Sequence, residues 1–440
     1  MANSEFAMHI EGVCRNYAEG LKHLRSSGSE IDAVLLHSGS QQFYHGDDRG
    51  IPFQSYGHFL HWLPVNRPDQ FVLFQPGARP IYFQVIPEDF WYEQTIAAAD
   101  WWASEFEIVR LAAVSELAKR LTAARIAYLG GHTQLALQLN IDKGGINPIA
   151  LLSFLDFQRA YKSNYELEQL REANRLAING HWAARDCFLG GGNEYQIHMA
   201  FLDACNILEE ESPYTNIVAL DEKSAILHYQ HKRRDPAESQ VLLIDAGCRV
   251  RGYGSDVTRT WAKDSAHPVF TELLAGMQNL ELEIVNLVCP GIAYPELHSA
   301  ALHGIASLLN ELGICDASAA QLCEQEVPQL FMPHGVGHLL GIQVHDVGGR
   351  QADIAGTTSL PPAHSPALRN TRTLTENMVF TIEPGCYFIP MLLEPQRNQP
   401  KGASINWSRV EELYPFGGIR IEDNVRVTAS GVENLTRQFE

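Results

Sequence analysis

Between about residues 10 and 160, apolar runs of strand length alternate with stretches whose apolar residues recur every three or four positions. This periodicity predicts an opening helix to about Ser26, strands over 31–36, 71–74, 81–85 and 126–129, and a helix over 114–123. Such alternation marks a small α/β domain. Ser163-Asn164-Tyr165-Glu166 then has the spacing of a capping box, followed by Leu167, Leu170, Ala173 and Ala177 on one helical face. A long helix is expected from Ser163 to Gly190-Gly191-Gly192, opening a second domain. The length, 440 residues, exceeds what one core usually fills. We therefore expect domains at 1–160 and 161–440.

In the second part the pattern predicts a helix over 195–210, a strand over 216–220 and a β-hairpin over 241–261. Helices over 269–287 and 295–312, a strand over 378–382, a polar surface loop over 392–406 and a strand pair over 411–414 and 419–427 follow. The hairpin, VLLIDAGCRVRGYGSDVTRTW, carries Asp245 at the end of one apolar run and Asp256 at the start of the next. Facing each other across paired strands, two carboxylates would repel unless a cation neutralised them. Three downstream segments each bring a metal-type ligand in a glycine-bearing setting: His338 in PHGVGH, Glu383 in FTIEPG and Glu422 in GGIRIED. His334, His338 and His345 fall within twelve residues, and His228 follows the apolar run Ala225-Ile226-Leu227.

Composition narrows the function classes. Hydrophobic content of 45% and charged content of 19% suit an ordinary globular protein. The net charge of −19, with basic clusters no longer than Lys232-Arg233-Arg234, argues against nucleic acid or an anionic membrane as partner. The eight cysteines form no C-x-x-C pair and read as reduced thiols. No apolar run reaches membrane-spanning length and no signal peptide is evident, so a cytoplasmic protein is expected. Gly130-Gly131 lacks the spacing of a nucleotide-binding loop. The aromatics Trp62, Phe90, Trp91, Tyr92, Trp101 and Trp102 are expected mostly in the core, an exposed subset serving as subunit interface or lid.

Two Asp, two Glu and one His supply about four negative charges, which two divalent cations would balance with a hydroxide left over as nucleophile. An oxygen-rich donor set favours manganese or cobalt over the histidine-richer sites of a single zinc, although zinc also fits.

The strings D-A-G then D-x-T-R-T, H-G-x-G-H, T-I-E-P-G and G-G-I-R-I-E-D together resemble the ligand motifs of the pita-bread (creatinase/aminopeptidase-like) metallopeptidases, which include methionine aminopeptidase, aminopeptidase P and prolidase. The likeness to bacterial Xaa-Pro dipeptidases, whose relatives include organophosphorus acid anhydrolases, extends through His37-Ser38-Gly39, Asp47-Asp48 and Asp89-Phe90-Trp91. It implies an α/β (α+β) protein with a small N-terminal α/β domain, serving dimerisation and as substrate lid, and a C-terminal pita-bread domain. Asp245 would chelate one metal, His338 and Glu383 the other, and Asp256 and Glu422 would bridge both. A bridging hydroxide would attack the scissile carbonyl of an Xaa-Pro dipeptide, Glu383 would shuttle the proton, and His334 and His228 would steady the oxygen. Arg420 would orient a carboxylate, and His345 and Arg372 would bind the substrate's C-terminal carboxylate. Tyr214 and Tyr294 would line the pocket, while Asp48 and Trp91 would reach the pocket of the partner in a homodimer.

A side activity on organophosphorus triesters follows from the same nucleophile. The rival readings are an aminopeptidase P, which accepts longer peptides, and a metal-free binding module on the same fold. The intact donor set argues against the latter.

Overall fold

The computed structural model describes residues 2–26, 28–94, 101–123, 125–235 and 238–440. Two compact units emerge: 1–159 together with 163–167 and 353–357, and the remainder. The first contains helices α1 (Ala2–Ser26), α2 (Gly57–Trp62), α3 (Thr133–Gln138) and α4 (Ile149–Arg159). Its sheet holds β1 (Ala33–His37), β2 (Phe71–Phe74), β3 (Ile81–Val85), β4 (Glu107–Leu111) and β5 (Ile126–Leu129), in the order β4-β3-β2-β1-β5. Phe6, Ile10, Val13, Tyr17, Leu21 and Leu24 recur at helical spacing along α1, and all are buried.

Two expectations for this unit need correction. The helix over 114–123 is only a short 3-10 turn, Val114–Lys119, in which Leu117 alone is fully buried while Val114 packs on the same core at its edge. Strand β4 is not part of the expected set: among the described residues it pairs with β3 alone, at the sheet edge, where Glu107 and Arg110 stay exposed and interrupt the apolar pattern.

Helix α5 (Asn164–Leu189) starts in the first unit and, from Glu168 onward, belongs to the second. Its expected capping box is formed: the Ser163 N–H donates to Glu166 Oε2 at 2.8 Å and the Glu166 N–H to Ser163 Oγ at 3.4 Å. Next come α6 (Glu194–Cys205), β6 (Ile217–Leu220), β7 (Val241–Asp245), β8 (Arg249–Val250), β9 (Tyr253–Gly254), β10 (Thr258–Ala262), α7 (Pro268–Leu287) and α8 (Tyr294–Glu311). Strands β11 (Val379–Ile382), β12 (Gly385–Tyr387), β13 (Gly418–Arg420), β14 (Asp423–Val427) and β15 (Val432–Asn434) complete it. The strands pair as β10-β7-β6, β11-β14-β15, β12-β13 and β8-β9. Helices α7 and α8 cover the sheets through one apolar cluster that joins Phe270, Met277, Leu297 and Ile305 to Phe380, Ile382, Val425 and Val427.

Residues 411–414 are not a strand but the end of the helix Trp407–Leu413, whose N-cap Asn406 accepts from the Arg409 N–H, and the start of the 3-10 turn Tyr414–Phe416. The segment expected as a polar loop over 392–406 carries the short helix Pro390–Leu393 and two 3-10 turns, and Leu393 is fully buried. Among the described residues no helix is long and apolar enough to cross a membrane.

His298, on α8, is buried with Nε2 2.8 Å from Ser365 Oγ, and burial, aided by His364, lowers its pKa from 6.5 to about 4. Below pH 6.5 the unfolded chain takes up a proton that the folded chain refuses. Stability should therefore fall as pH drops from 6.5 toward 4, by on the order of 3 kcal/mol for this group. Urea midpoints at pH 5 and pH 7.5 check this: His298→Gln is expected to narrow the difference between them.

Candidate metal centre

The hairpin expectation is met with one change. Register sets Thr258, not Asp256, opposite Asp245, and the small β8-β9 hairpin fills the turn. Asp256 lies two residues before β10, so the aspartates meet at the hairpin mouth without forming a cross-strand pair. On the other side, Ile382 of β11 pairs with Asp423 of β14. Glu383 and Glu422 are the next residues beyond that pair. A single antiparallel bridge between Thr258 and Glu422 joins the two sheets at this point. Pairing of backbones distant in sequence thus gathers three carboxylate segments in one place.

His338 enters from the loop beside β11, where the Thr381 N–H donates to the His338 carbonyl and the His338 N–H to Thr381 Oγ1. Gly337 precedes it at φ 149°, and a Cβ there would collide with the Thr381 carbonyl and the Tyr294 hydroxyl. The His338 Nδ1–H donates to the Leu339 carbonyl at 3.0 Å, leaving Nε2 as the ligand atom. That nitrogen is 3.3 Å from Asp256 Oδ2 and 3.6 Å from Glu383 Oε1. Asp256, His338 and Glu422 each offer a ligand atom, all within 4.8 Å of one another.

A shell of donors aims these carboxylates. Arg420 donates through Nη2 to Asp245 Oδ2, through Nε to Thr258 Oγ1 at 3.1 Å and through Nη1 to the Tyr387 hydroxyl at 2.9 Å. Thr258 in turn donates to Glu422 Oε2 at 2.6 Å. Beneath them Arg259 binds the carbonyls of Thr258 and Glu422 and the carboxylates of Asp423 and Glu440. Motif reading had placed Arg420 in this supporting role but had not identified Thr258, Arg259 or Tyr387. Apart from the adjacent Thr258–Arg259 contact, their partners lie 33 to 181 residues away in sequence. The alternating threonines of the second hairpin run were the one available signal.

The electrostatics call for cations. Burial, followed by the pressure of Asp256, Glu383 and Asp245, pushes Glu422 well above the usual carboxylate range. Burial also pushes Glu383 up to about 7, the pull of His338 and Arg420 being outweighed by burial together with Asp256 and Asp245. Asp245 is raised by burial and by Asp256 despite Arg420. Asp256 remains below its ordinary value because His338 overcomes its burial, and His338 is raised in return. The buried oxygen Asp245 Oδ1 has no hydrogen-bond partner among the described residues. An orphaned carboxylate oxygen beside three more carboxylates and one correctly oriented imidazole fits divalent metal ions.

These groups line a cavity of about 500 Å³ together with Tyr214, Leu227, His228, His334, Val344, His345, Arg369 and Arg420. The Tyr214 hydroxyl is buried beside Asp245 and Asp256, which with burial raise its pKa well above 10. His345 packs edge-on to His338 at 4.3 Å, and burial lowers it to about 4. His334 has both ring nitrogens engaged: Nδ1–H donates to the Gly335 carbonyl, and Nε2 lies 3.0 Å from the Tyr387 hydroxyl. Tyr294 and Arg372 are not part of the cavity wall. The hydroxyl of Tyr294 donates to the Thr381 carbonyl at 2.8 Å, and Arg372 is buried against Tyr161. Arg369, three residues before Arg372, lies on the wall instead, along with Arg420. Asp48 and Trp91 belong to the first unit and are exposed, Trp91 by 78%.

Comparison with known proteins bears directly on this constellation. Residues 168–429 match the model of metallopeptidase family M24, and residues 4–157 match the N-terminal domain of Xaa-Pro dipeptidase. The chain is 42% identical over 439 residues to the Xaa-Pro dipeptidase of Aeromonas hydrophila, covering 98% of each chain. It is 41% identical over 414 residues to that of Cronobacter sakazakii, covering 93% of each. Aminopeptidase P from E. coli with the inhibitor Pro-Leu superimposes with a TM-score of 0.76 at 22% identity, over 100% of this chain and 96% of that one, a likeness of fold. The chain is thus matched along essentially its whole length, its fold is that of the pita-bread metallopeptidases, and it belongs to metallopeptidase family M24.

Proposed function

We propose that this protein hydrolyses Xaa-Pro dipeptides with two divalent metal ions, most favourably Mn2+. The observation that carries the reading is the convergence of four carboxylates and one imidazole inside a cavity of dipeptide size with Arg369 in its wall. Full-length similarity to Xaa-Pro dipeptidases supports it. Asp245 would hold one ion, His338 and Glu383 the other, and Asp256 and Glu422 would be shared. When bound, such a pair acidifies a water to act as nucleophile and polarises the scissile carbonyl.

The chain's own residues do the rest. Glu383, a carboxylate in the cavity wall, would receive a proton from the attacking water and pass it to the leaving nitrogen. That transfer is needed because a proline nitrogen leaves from a tertiary amide and carries no proton of its own. His228 faces the cavity and is placed to donate to the carbonyl oxygen. His334, with both nitrogens engaged, acts by fixing the wall and the Tyr387–Arg420 chain that aims Asp245. His345 and Arg369 are placed to receive the free carboxylate of the dipeptide.

Ala-Pro should be cleaved and Ala-Pro-Ala should not; efficient cleavage of the tripeptide would instead favour an aminopeptidase P. Arg369→Ala is expected to raise KM for Ala-Pro about 10- to 100-fold with a smaller change in kcat, since it removes a charge-assisted contact made throughout the reaction. The same change at Arg372 should act mainly on stability. Steady-state kinetics and melting curves separate the two.

The N-terminal domain, residues 1–160, is proposed to serve dimerisation and to act as the lid. Phe43, Tyr44, Phe90, Trp91 and Tyr92 are all exposed there, more aromatic surface than a solitary subunit usually leaves in water. In a homodimer Asp48 and Trp91 would reach the partner's cavity. All eight cysteines are free, which suits a reducing compartment such as the cytoplasm.

A further inference from the structure

The first unit contains a second cluster of metal-type side chains that the peptidase chemistry does not use. His9 on α1, His61 on α2 and Glu166 in the first turn of α5 each offer a ligand atom within 4.8 Å of the others, and all three residues are buried. All belong to the first compact unit, which includes 163–167. His9 Nδ1 lies 3.8 Å from Glu166 Oε2, and His61 Nε2 lies 3.6 Å from Glu166 Oε1. Both separations are wider than an ordinary hydrogen bond. They approach the tetrahedral edge of about 3.3–3.4 Å expected when ligands sit about 2.0–2.1 Å from a zinc ion.

The surroundings orient the cluster as they would a metal site. His9 Nε2 is 2.8 Å from the His61 carbonyl, which can only accept, so Nε2 carries the proton and the Nδ1 lone pair faces Ser163 and Glu166. A ligating imidazole whose other nitrogen donates to a backbone carbonyl is the usual second-shell arrangement. Ser163 Oγ lies 2.8 Å from His9 Nδ1 and also accepts from the Glu166 N–H. Phe6 and Tyr165 close one side, with ring centroids 6.0 Å and 5.1 Å from His9, and Trp101 packs on Phe6. Burial keeps both imidazoles below their ordinary pKa, hence neutral and available as ligands at pH 7. Arg159 and His58 are the other basic groups that act on His61.

We propose that His9, His61 and Glu166 form a structural zinc site that pins α1 and α2 to the first turn of α5, separate from the catalytic pair. Two neutral imidazoles and one carboxylate, in an aromatic and nearly dry setting, suit zinc better than manganese or calcium, which prefer more oxygen.

The test counts zinc in the full-length protein. Stripped with chelator, re-equilibrated with zinc and dialysed, the wild type is compared with His61→Gln, each also in an Asp256→Asn/Glu422→Gln background that cripples the catalytic site. The expected result is that His61→Gln removes one zinc per chain in both backgrounds. Zinc should also raise the melting temperature of the crippled protein, and His61→Gln should abolish that rise. Where His61→Gln fails to fold, cobalt titration of the crippled protein serves instead, an intense tetrahedral d–d spectrum from one ion per chain being expected. An unchanged zinc count on His61→Gln, or no zinc and no tetrahedral cobalt in the crippled background, overturns the proposal.

Discussion

Replacing Asp256 by Asn is expected to cut turnover of Ala-Pro by at least about 1,000-fold, close to 4 kcal/mol of transition-state stabilisation. The carboxylate sits 3.3 Å from His338 Nε2 and, with Glu422, forms the middle of the donor cluster. An amide offers one neutral oxygen where two anionic ones are needed, so bound metal should fall along with activity. The fold should survive. Asp256 is held mainly through its backbone, whose N–H donates to Asn424 Oδ1 and whose carbonyl accepts from Asn424 Nδ2, and the substitution leaves both intact. Circular dichroism should therefore be unchanged while activity and metal content collapse. Near-normal turnover would rule out a shared role for Asp256.

Removing the metals should lower the melting temperature by roughly 5–15 °C. Ions present at 100 to 1,000 times their dissociation constant stabilise the folded state by about 3–4 kcal/mol, and each kcal/mol is worth a few degrees in a domain of this size. The stripped protein should also respond to pH in a distinctive direction. Glu383 is raised from 4.5 to about 7 and Glu422 well above 4.5, so between these values the folded state holds protons that the unfolded state has released. Their contribution is present below pH 4.5 and is lost as pH rises through 7. Metal-free protein should thus melt lower at pH 8 than at pH 6. The loaded enzyme should not lose stability over that window, because deprotonation favours the ions. Calorimetry of both forms across this range checks the sign; a stripped protein more stable at pH 8 would show that the carboxylates are not pressed together as described.

The ligands themselves were legible in the sequence because each sits at the end of an apolar run beside glycine or proline, where turn chemistry marks a strand terminus. How they converge was less so. Asp245 and Asp256 looked like cross-strand partners, but a two-residue hairpin consumes part of the connection and shifts the register to Thr258. Pairing of Ile382 with Asp423, and the Thr258–Glu422 bridge, are contacts between segments far apart in the chain, which local periodicity does not encode. The same limit hid Tyr387 and Arg259, which matter through what they touch. Arg369 and Arg372 share one polar stretch, and only tertiary packing shows that the first reaches the cavity while the second is buried on Tyr161. Elsewhere the errors came from weak or misleading patterns. Strand β4 is broken by Glu107 and Arg110 on an exposed edge, and 411–414 carries apolar residues at the end of a helix whose start is announced only by Asn406.

The central claim, that five side chains from four segments hold one pair of ions, is tested most directly by anomalous diffraction from crystals grown with manganese. Two peaks are predicted, Asp256 and Glu422 touching both, Asp245 only one, and His338 and Glu383 only the other, with donor atoms about 2.0–2.6 Å away. A single peak, or peaks out of reach of any of the five, would contradict it.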